Sequence, residues 1–148
     1  MQSIAVGSDH AGYPLKEKIK EFLLSKGYRV LDFGAQSTDS TDYPLFAREV
    51  CLSLQRGEAQ KGILVCGTGI GMSVVANKFK GIRAALCLNE YMARMSRKHN
   101  DANVLCLGSR VVGQELALSI VEAWLSTDFE GGRHGERVEL IKRMEGMV

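Results

Sequence analysis

The chain has 148 residues, of which 45% are hydrophobic and 24% are charged, and its formal net charge is +2. These values predict one globular domain spanning residues 1–148, and the absence of a long basic run argues against a nucleic-acid partner. The sequence shows neither a signal-like amino terminus nor an apolar stretch approaching the roughly 20 residues of a membrane span, so we expect a cytoplasmic protein without a membrane partner.

Short β-type runs alternate with amphipathic helical patterns along the chain. This alternation predicts an α/β fold, a three-layer α/β/α sandwich around a five-stranded parallel sheet with right-handed crossovers. The predicted strands cover residues 3–7, 28–34, 61–67, 82–88 and 103–109. The predicted helices cover residues 14–27, 43–57, 70–79, 90–99, 113–126 and 133–145. Pro14 at the start of the first helix and Gly27 at its end fit the usual preferences at helix termini.

The loops after the first and third strands carry candidate functional groups. Ligands of parallel sheets bind beyond the carboxyl ends of the strands, and for the strand order 2-1-3-4-5, which we assume here, the binding point lies between strands 1 and 3. Asp9 and His10 follow strand 1 in the segment GSDHAG, whereas Cys66 ends strand 3. We therefore expect these three side chains to meet at one crevice.

The segment CGTGIGMS, residues 66–73, places three glycines directly before a predicted helix. Backbone N–H groups in such a loop can point at an anion or an oxyanion with no β-carbon in the way. The segment is neither a Walker A loop nor a G-x-G-x-x-G fingerprint, so a nucleotide site is disfavoured. A glycine-rich turn with a purely structural role is the alternative. Cys66 favours a functional role, because the amino terminus of a helix favours the thiolate.

The other cysteines and two arginines have less specific interpretations. The four cysteines show no CxxC spacing and no histidine lies close in sequence, so we expect no disulfide bonds, no metal site and no other cofactor. Cys51, Cys87 and Cys106 are interpreted as small buried hydrophobic residues. Arg133 and Arg137 lie four residues apart on one face of a predicted helix, which suits a phosphate dianion but also an ordinary solvated pair.

Five longer motifs resemble one known family. The segments GSDHAG, TDYP, CGTGIGMSVVANKFKGIRAA, SRKHNDANVLCLGSR and EGGRHGERV are similar to those of the B-type ribose-5-phosphate isomerase family, whose relatives include the galactose-6-phosphate isomerase subunits. The resemblance covers nearly the whole chain. It implies a Rossmann-like fold, a homodimer or a dimer of dimers, and metal-independent interconversion of ribose 5-phosphate and ribulose 5-phosphate in the pentose phosphate pathway.

The resemblance also implies roles for individual residues. Cys66 would move a proton between C1 and C2 of the sugar through an enediolate, aided by Thr68 and by the backbone of residues 67–71. His99 would protonate the ring oxygen as the furanose opens, with assistance from Asp9. The residues implied to bind the substrate, the arginines chiefly its phosphate, are Asp9, His10, Gly67, Thr68, Gly69, Ile70, Gly71, Asn100, Arg110, Arg133 and Arg137. Tyr43, which opens the second predicted helix, is expected to have at most a secondary role.

The predicted topology separates some of these residues. A helix that follows a parallel strand runs back across the sheet, so the helix over residues 90–99 should carry His99 and Asn100 away from Asp9 and Cys66. We therefore expect His99 and Asn100 to enter the site from a second subunit, in a symmetric dimer with shared active sites.

The sequence leaves two alternatives to this function. One is isomerisation of a six-carbon phosphate such as allose 6-phosphate or galactose 6-phosphate, which depends on the length of the pocket. The other is a regulatory module that binds sugar phosphates without turnover. The combination of Cys66, Thr68 and His99 favours an enzyme, because binding alone does not require a thiol base.

Overall fold

Residues 2–147, which the computed structural model describes, form five strands and six helices in the predicted order. The strands are β1 (Ser3–Ser8), β2 (Arg29–Asp32), β3 (Lys61–Cys66), β4 (Ala84–Leu86) and β5 (Val104–Gly108). The helices are α1 (Tyr13–Ser25), α2 (Tyr43–Gln55), α3 (Ile70–Ala76), α4 (Glu90–Lys98), α5 (Gln114–Leu125) and α6 (Arg133–Glu145). The predicted α/β class is confirmed, although β2 and β4 are shorter than predicted.

The five strands form one parallel sheet in the order β2-β1-β3-β5-β4. The assumed order 2-1-3-4-5 is therefore wrong for the last two strands, because β5 pairs with β3 and β4 lies at the edge. Burial explains this arrangement: every residue of β1, β3 and β5 is buried, as inner strands require, whereas the three residues of β4 are only half-buried. The loop after β5, rather than the loop after β4, consequently lies beside Cys66.

Helices cover both faces of the sheet. One hydrophobic core lies between the sheet and α1, α4 and α5, and it contains the fully buried Trp124 and Ile19. The other core lies under α2 and α3 and contains Met72 and Val50. The predicted three-layer sandwich is confirmed.

The three cysteines outside the candidate site lie in these cores. Cys51, Cys87 and Cys106 are free thiols with at most 1% of their surface exposed. Burial raises the pKa of Cys51 to about 12 and that of Cys87 to about 11, and it raises the pKa of Cys106 well above its ordinary value. All three are therefore protonated at neutral pH, and their interpretation as core residues is confirmed.

A buried lysine joins two segments by hydrogen bonds at the carboxyl edge of the sheet. The Lys16 ammonium group on α1 donates hydrogen bonds to Asp32 Oδ1 at 2.8 Å and to the backbone oxygen of Ala35 at 2.7 Å. The loop after β2 is thus tied to the start of α1. That loop in turn contacts the end of β1, because the Ser8 N–H donates to the oxygen of Gly34 at 2.7 Å.

The last helix, α6, has little of its surface covered. His134 and Val138 are its buried residues, whereas Leu140, Ile141 and Met144 are between 42% and 59% exposed. An exposed apolar row of this kind is typical of a protein–protein contact. Among residues 2–147, no helix has the length and apolar character that crossing a membrane requires.

Candidate active site

Cys66 lies at the floor of an open crevice at the carboxyl edge of the sheet. The thiol ends β3 and is 5% exposed, whereas the loop that follows it is more accessible. The crevice has a volume of about 530 Å³, within the usual range for small-molecule sites. The residues that line it are Asp9, Tyr43, Cys66, Gly67, Thr68, Ile70, Gly71, Val74 and Arg110.

The glycine loop places a backbone donor at the thiol. The backbone N–H of Gly69 donates a hydrogen bond to Cys66 Sγ at 3.2 Å. Gly69 has a φ of +81°, and a β-carbon there would lie 2.5 Å from Cδ1 of Leu86, so both its conformation and its surroundings require glycine. An N–H directed at sulfur stabilises negative charge on that atom. The loop thus places a backbone donor directly at the Cys66 sulfur.

Thr68 presents a hydroxyl group beside this thiol. Its Oγ1 accepts a hydrogen bond from the N–H of Ile70 at 3.2 Å. Because the hydroxyl accepts in this contact, its own proton remains available to a ligand.

One wall of the crevice is aromatic. A β-carbon on Gly71 would lie 2.6 Å from the Tyr43 ring, so glycine at this position lets the ring pack against α3. Sequence reasoning gave Tyr43 at most a secondary role and did not identify Val74. The position of Val74 one helical turn after Ile70, and hence on the same face, was a signal that could have identified it.

Arg110 brings positive charge to the opposite side of the crevice. Its backbone N–H donates to the oxygen of Gly67 at 3.0 Å, and its guanidinium group packs over the same glycine. This contact exists because β5 pairs directly with β3.

Asp9 and His10 leave β1 towards this region. Asp9 is buried, lines the crevice, and its Oδ1 accepts the N–H of Gly12 at 2.9 Å just before α1. His10 is joined to the loop after β2, because its Nδ1 accepts the N–H of Thr41 at 3.1 Å and its own N–H donates to Thr41 Oγ1 at 3.1 Å. In a neutral imidazole this pattern places the proton on Nε2, which can donate to a ligand.

His99 and Asn100 lie at the amino edge of the sheet, away from the crevice. The oxygen of Asn100 accepts a hydrogen bond from Arg83 Nε at 3.1 Å, and Arg83 immediately precedes β4. Arg97, one turn earlier, is buried and bonds to the oxygens of Thr127 and Ala102, which holds the end of α4 in place. The expected separation of His99 and Asn100 from Cys66 within one chain is confirmed.

A second group of polar side chains surrounds His99. Its ring stacks on that of His134, with centroids 4.2 Å apart and planes inclined by 12°. Glu130 Oε1 lies 3.8 Å from His99 Nε2 and 3.6 Å from His134 Nε2. Desolvation and the nearby His99 and Arg133 lower the pKa of His134. Arg133 and Arg137 are exposed on the first turns of α6 beside this cluster, and neither of them lines the crevice.

Comparisons with known proteins identify the family of this chain. The family model described as Ribose/Galactose Isomerase matches residues 4–141. The chain belongs to the ribose/galactose isomerase family. This membership confirms the resemblance on which the residue roles were based.

Individual members of the ribose/galactose isomerase family are similar over their full lengths. Ribose-5-phosphate isomerase B from Escherichia coli is 53% identical, over 98% of this chain and 97% of that one. The structure of Clostridium thermocellum ribose-5-phosphate isomerase B is 54% identical with a TM-score of 0.97, covering 98% of each chain. A D-erythrulose-4-phosphate isomerase from Pectobacterium atrosepticum is 47% identical over 95% of this chain and 93% of that one.

Proposed function

We propose that this family member interconverts D-ribose 5-phosphate and D-ribulose 5-phosphate, without a metal ion, as one domain spanning residues 1–148. The observation that supports this proposal most directly is the position of the Cys66 thiol at the floor of the crevice, with the N–H of Gly69 directed at its sulfur. We further propose that the reaction takes place in the cytoplasm, as a step of the pentose phosphate pathway.

The proton transfer follows from the groups around the thiol. In the aldose-to-ketose direction, the Cys66 thiolate removes the proton from C2, which leaves an enediolate. The hydroxyl proton on O2 then moves to O1, and the thiol returns its proton to C1. Negative charge develops on the sugar oxygens in between. The donors proposed to stabilise it are the Thr68 hydroxyl and those N–H groups of residues 67–71 that the bonds of Gly69 to Cys66 and of Ile70 to Thr68 leave available, because they are fixed before the substrate arrives.

The remaining functions are shared between two subunits in this proposal. The crevice itself contributes Arg110 to phosphate binding. His10 is next to Asp9 in the chain but does not line the crevice, and its Nε2 offers a further donor. His99, Asn100, Arg133 and Arg137 lie at the far edge of their own chain, so they serve the crevice of a partner in a homodimer or a dimer of dimers. The row Leu140, Ile141 and Met144 on α6 supplies apolar surface for such an assembly.

Ring opening is assigned to His99 of the second subunit. An imidazole can protonate the ring oxygen near neutral pH, and the Asp9 carboxylate in the receiving crevice assists by accepting a hydrogen bond. The two arginines, on one face of α6, complete the phosphate site with charge-assisted hydrogen bonds.

The test is turnover by protein freed of metal ions. Enzyme dialysed against a chelator is expected to equilibrate ribose 5-phosphate and ribulose 5-phosphate at the rate of untreated enzyme. The Cys51→Ala variant, treated in the same way, is the control. Loss of activity on chelation with recovery on adding a divalent ion would overturn the mechanism. The absence of turnover together with phosphosugar binding would instead support a regulatory module.

Comparison of kcat/KM for four-, five- and six-carbon phosphates on the same preparation tests the substrate assignment. The highest value is expected for ribose 5-phosphate. A higher value for allose 6-phosphate or galactose 6-phosphate would move the assignment to a six-carbon substrate.

A further inference from the structure

We propose that His99, Glu130 and His134 form a binding site for one transition-metal cation of the zinc class, and that the bound ion blocks the isomerase by occupying His99. The binding part stands on the geometry of these three side chains. The blocking part rests on the ring-opening role proposed above for His99.

The three side chains offer converging ligand atoms. One atom from each lies within 4.8 Å of the others, and Glu130 Oε1 is 3.6 Å and 3.8 Å from the two imidazole Nε2 atoms. Within residues 2–147, no hydrogen bond engages the side-chain nitrogens of His99 and His134 or the carboxylate of Glu130. Two imidazoles and one carboxylate are a ligand set that zinc sites use, with a fourth position left to water.

The backbone holds the cluster together across three segments. The N–H of Glu130 donates to the oxygen of Lys98 at 3.2 Å, which fixes the glutamate beside the end of α4. Gly131 and Gly132 then turn the chain with φ values of +72° and +56° into α6, whose second residue is His134. Residues far apart in sequence are thus brought to one place by main-chain contacts.

The required adjustment brings ligand atoms that now lie within 4.8 Å of one another closer together, and it falls on exposed side chains. Tetrahedral coordination at about 2.1 Å places ligand atoms about 3.4 Å apart, only a few tenths of an ångström below the two measured distances to Glu130. The stacked rings must tilt so that their lone pairs converge. The His134 side chain is 10% exposed and acts as the fixed ligand, whereas those of His99 and Glu130 are 43% and 49% exposed and can move.

Charge and ionisation favour the zinc class over harder cations. An imidazole ligates a metal through its neutral form, and this nitrogen ligand suits cations such as Zn²⁺ better than the hard cations that prefer oxygen. The positive charges of Arg133 and Arg137 repel any cation at this site, and the negative charge of Glu130 offsets part of that repulsion. Only ions that bond strongly to imidazole, such as Zn²⁺, Co²⁺ or Cu²⁺, overcome that opposition, so Mg²⁺ and Ca²⁺ are excluded.

Occupancy prevents His99 from working as an acid. A metal at Nε2 takes the lone pair that would carry the proton, and it holds the ring towards Glu130. The enzyme without metal stays active, so the site is inhibitory and does not conflict with metal-independent chemistry. Free zinc would therefore inhibit the reaction reversibly.

Cobalt binding tests the site without reference to turnover. Co²⁺ is added to chelator-treated protein, its visible absorption is recorded, and Zn²⁺ is used to displace it. One tetrahedral site per chain is expected, and Glu130→Gln should weaken Co²⁺ binding at least about tenfold, since even outer partners of metal ligands contribute that much. Glu139→Gln, which changes an exposed carboxylate on α6, is the matched control and should bind as the wild type does.

The Cys66→Ala variant distinguishes metal binding at His99, Glu130 and His134 from metal binding by the Cys66 thiol. Unchanged Co²⁺ binding by Cys66→Ala, together with weakened binding by Glu130→Gln, supports the proposal. Binding lost in Cys66→Ala and kept in Glu130→Gln overturns it, as does octahedral or absent Co²⁺ absorption in the wild type.

The blocking part is tested by zinc inhibition of turnover. The Zn²⁺ concentration that halves the rate should rise at least about tenfold in Glu130→Gln and stay unchanged in Glu139→Gln, with full recovery on adding chelator. Equal zinc sensitivity in both variants overturns the blocking role. If the chelator-treated enzyme shows no isomerase activity while Co²⁺ binds as expected, the proposed function fails and the metal site stands.

Discussion

At the carboxyl edge of the sheet, Cys66 is nearly buried within a crevice whose backbone donors are held by β3, β5 and α3. At the amino edge, His99, Arg133 and Arg137 extend from the ends of α4 and α6 towards solvent. In the proposed mechanism, the first region supplies the base and the donors for an enediolate, whereas the second supplies an acid and cations to the crevice of a partner. Under this proposal, one chain holds two complementary halves of a reaction centre, the buried half at the carboxyl edge and the exposed half at the amino edge.

The largest expected effect belongs to the buried half. Cys66→Ala should lower kcat by about 10²- to 10⁴-fold, the usual contribution of a positioned base, while the affinity for the phosphosugar changes little. Cys51→Ala is the control, with normal kcat and a loss of stability of about 1–3 kcal/mol. Steady-state kinetics and calorimetric binding measure these quantities. A near-normal kcat in Cys66→Ala would mean that another group is the base.

A smaller effect, on KM rather than kcat, is expected from the exposed half. Arg133→Ala and Arg137→Ala each remove a hydrogen bond to a charged group worth about 1.5–3 kcal/mol, so KM for ribose 5-phosphate should rise about 10- to 100-fold. Arg143→Ala, an exposed arginine at the far end of the same helix, should leave KM unchanged. If both variants bound the phosphosugar as tightly as the wild type, the two arginines would be ordinary surface residues.

Hybrid dimers test directly whether the two halves act together in one active site. Cys66→Ala and His99→Ala proteins, mixed in equal amounts and reassembled, should regain about a quarter of wild-type activity, because half of the random dimers carry one intact site out of two. Cys66→Ala mixed with the double variant Cys66→Ala/His99→Ala should regain none. A first mixture that exchanges subunits and stays inactive would show that His99 works within its own chain.

The smallest effect concerns acid stability of the carboxyl edge. Burial alone would raise the pKa of Asp32, but hydrogen bonds from Lys16, Gly34 and Lys20 outweigh it and hold the pKa below its ordinary value of 3.8. A lowered carboxyl pKa contributes stability that is complete above that ordinary value and is lost as the pH falls through the folded-state pKa. Urea unfolding between pH 6 and pH 2 should therefore show a falling free energy of unfolding.

Asp32→Asn identifies the source of that pH dependence. The variant should be less stable at neutral pH, because the buried Lys16 loses its closest carboxylate, and it should show a weaker dependence on acid. Glu21→Gln, an exposed carboxylate on α1, should keep the wild-type profile. An unchanged profile in Asp32→Asn would assign the acid sensitivity to other carboxylates.

The predicted elements follow from local patterns in the sequence. Alternation of apolar runs and amphipathic stretches was sufficient for five strands and six helices, since each pattern depends on residues a few positions apart. The position of Cys66 before a glycine loop likewise indicated a thiol supported by backbone donors. The direction of a crossover helix was enough to separate His99 from Cys66.

The tertiary structure decided how distant segments meet. Pairing of β5 with β3 places Arg110 beside Gly67, and that choice depends on which strands can be buried on both sides. The packing of Tyr43 against Gly71 and the meeting of His99 with Glu130 and His134 depend in the same way on contacts between segments far apart in the chain. Local periodicity determines which elements form, because hydrogen bonds and side-chain spacing act over short distances. Which elements become neighbours is determined by burial of the whole core, and a local sequence pattern carries no information about that burial.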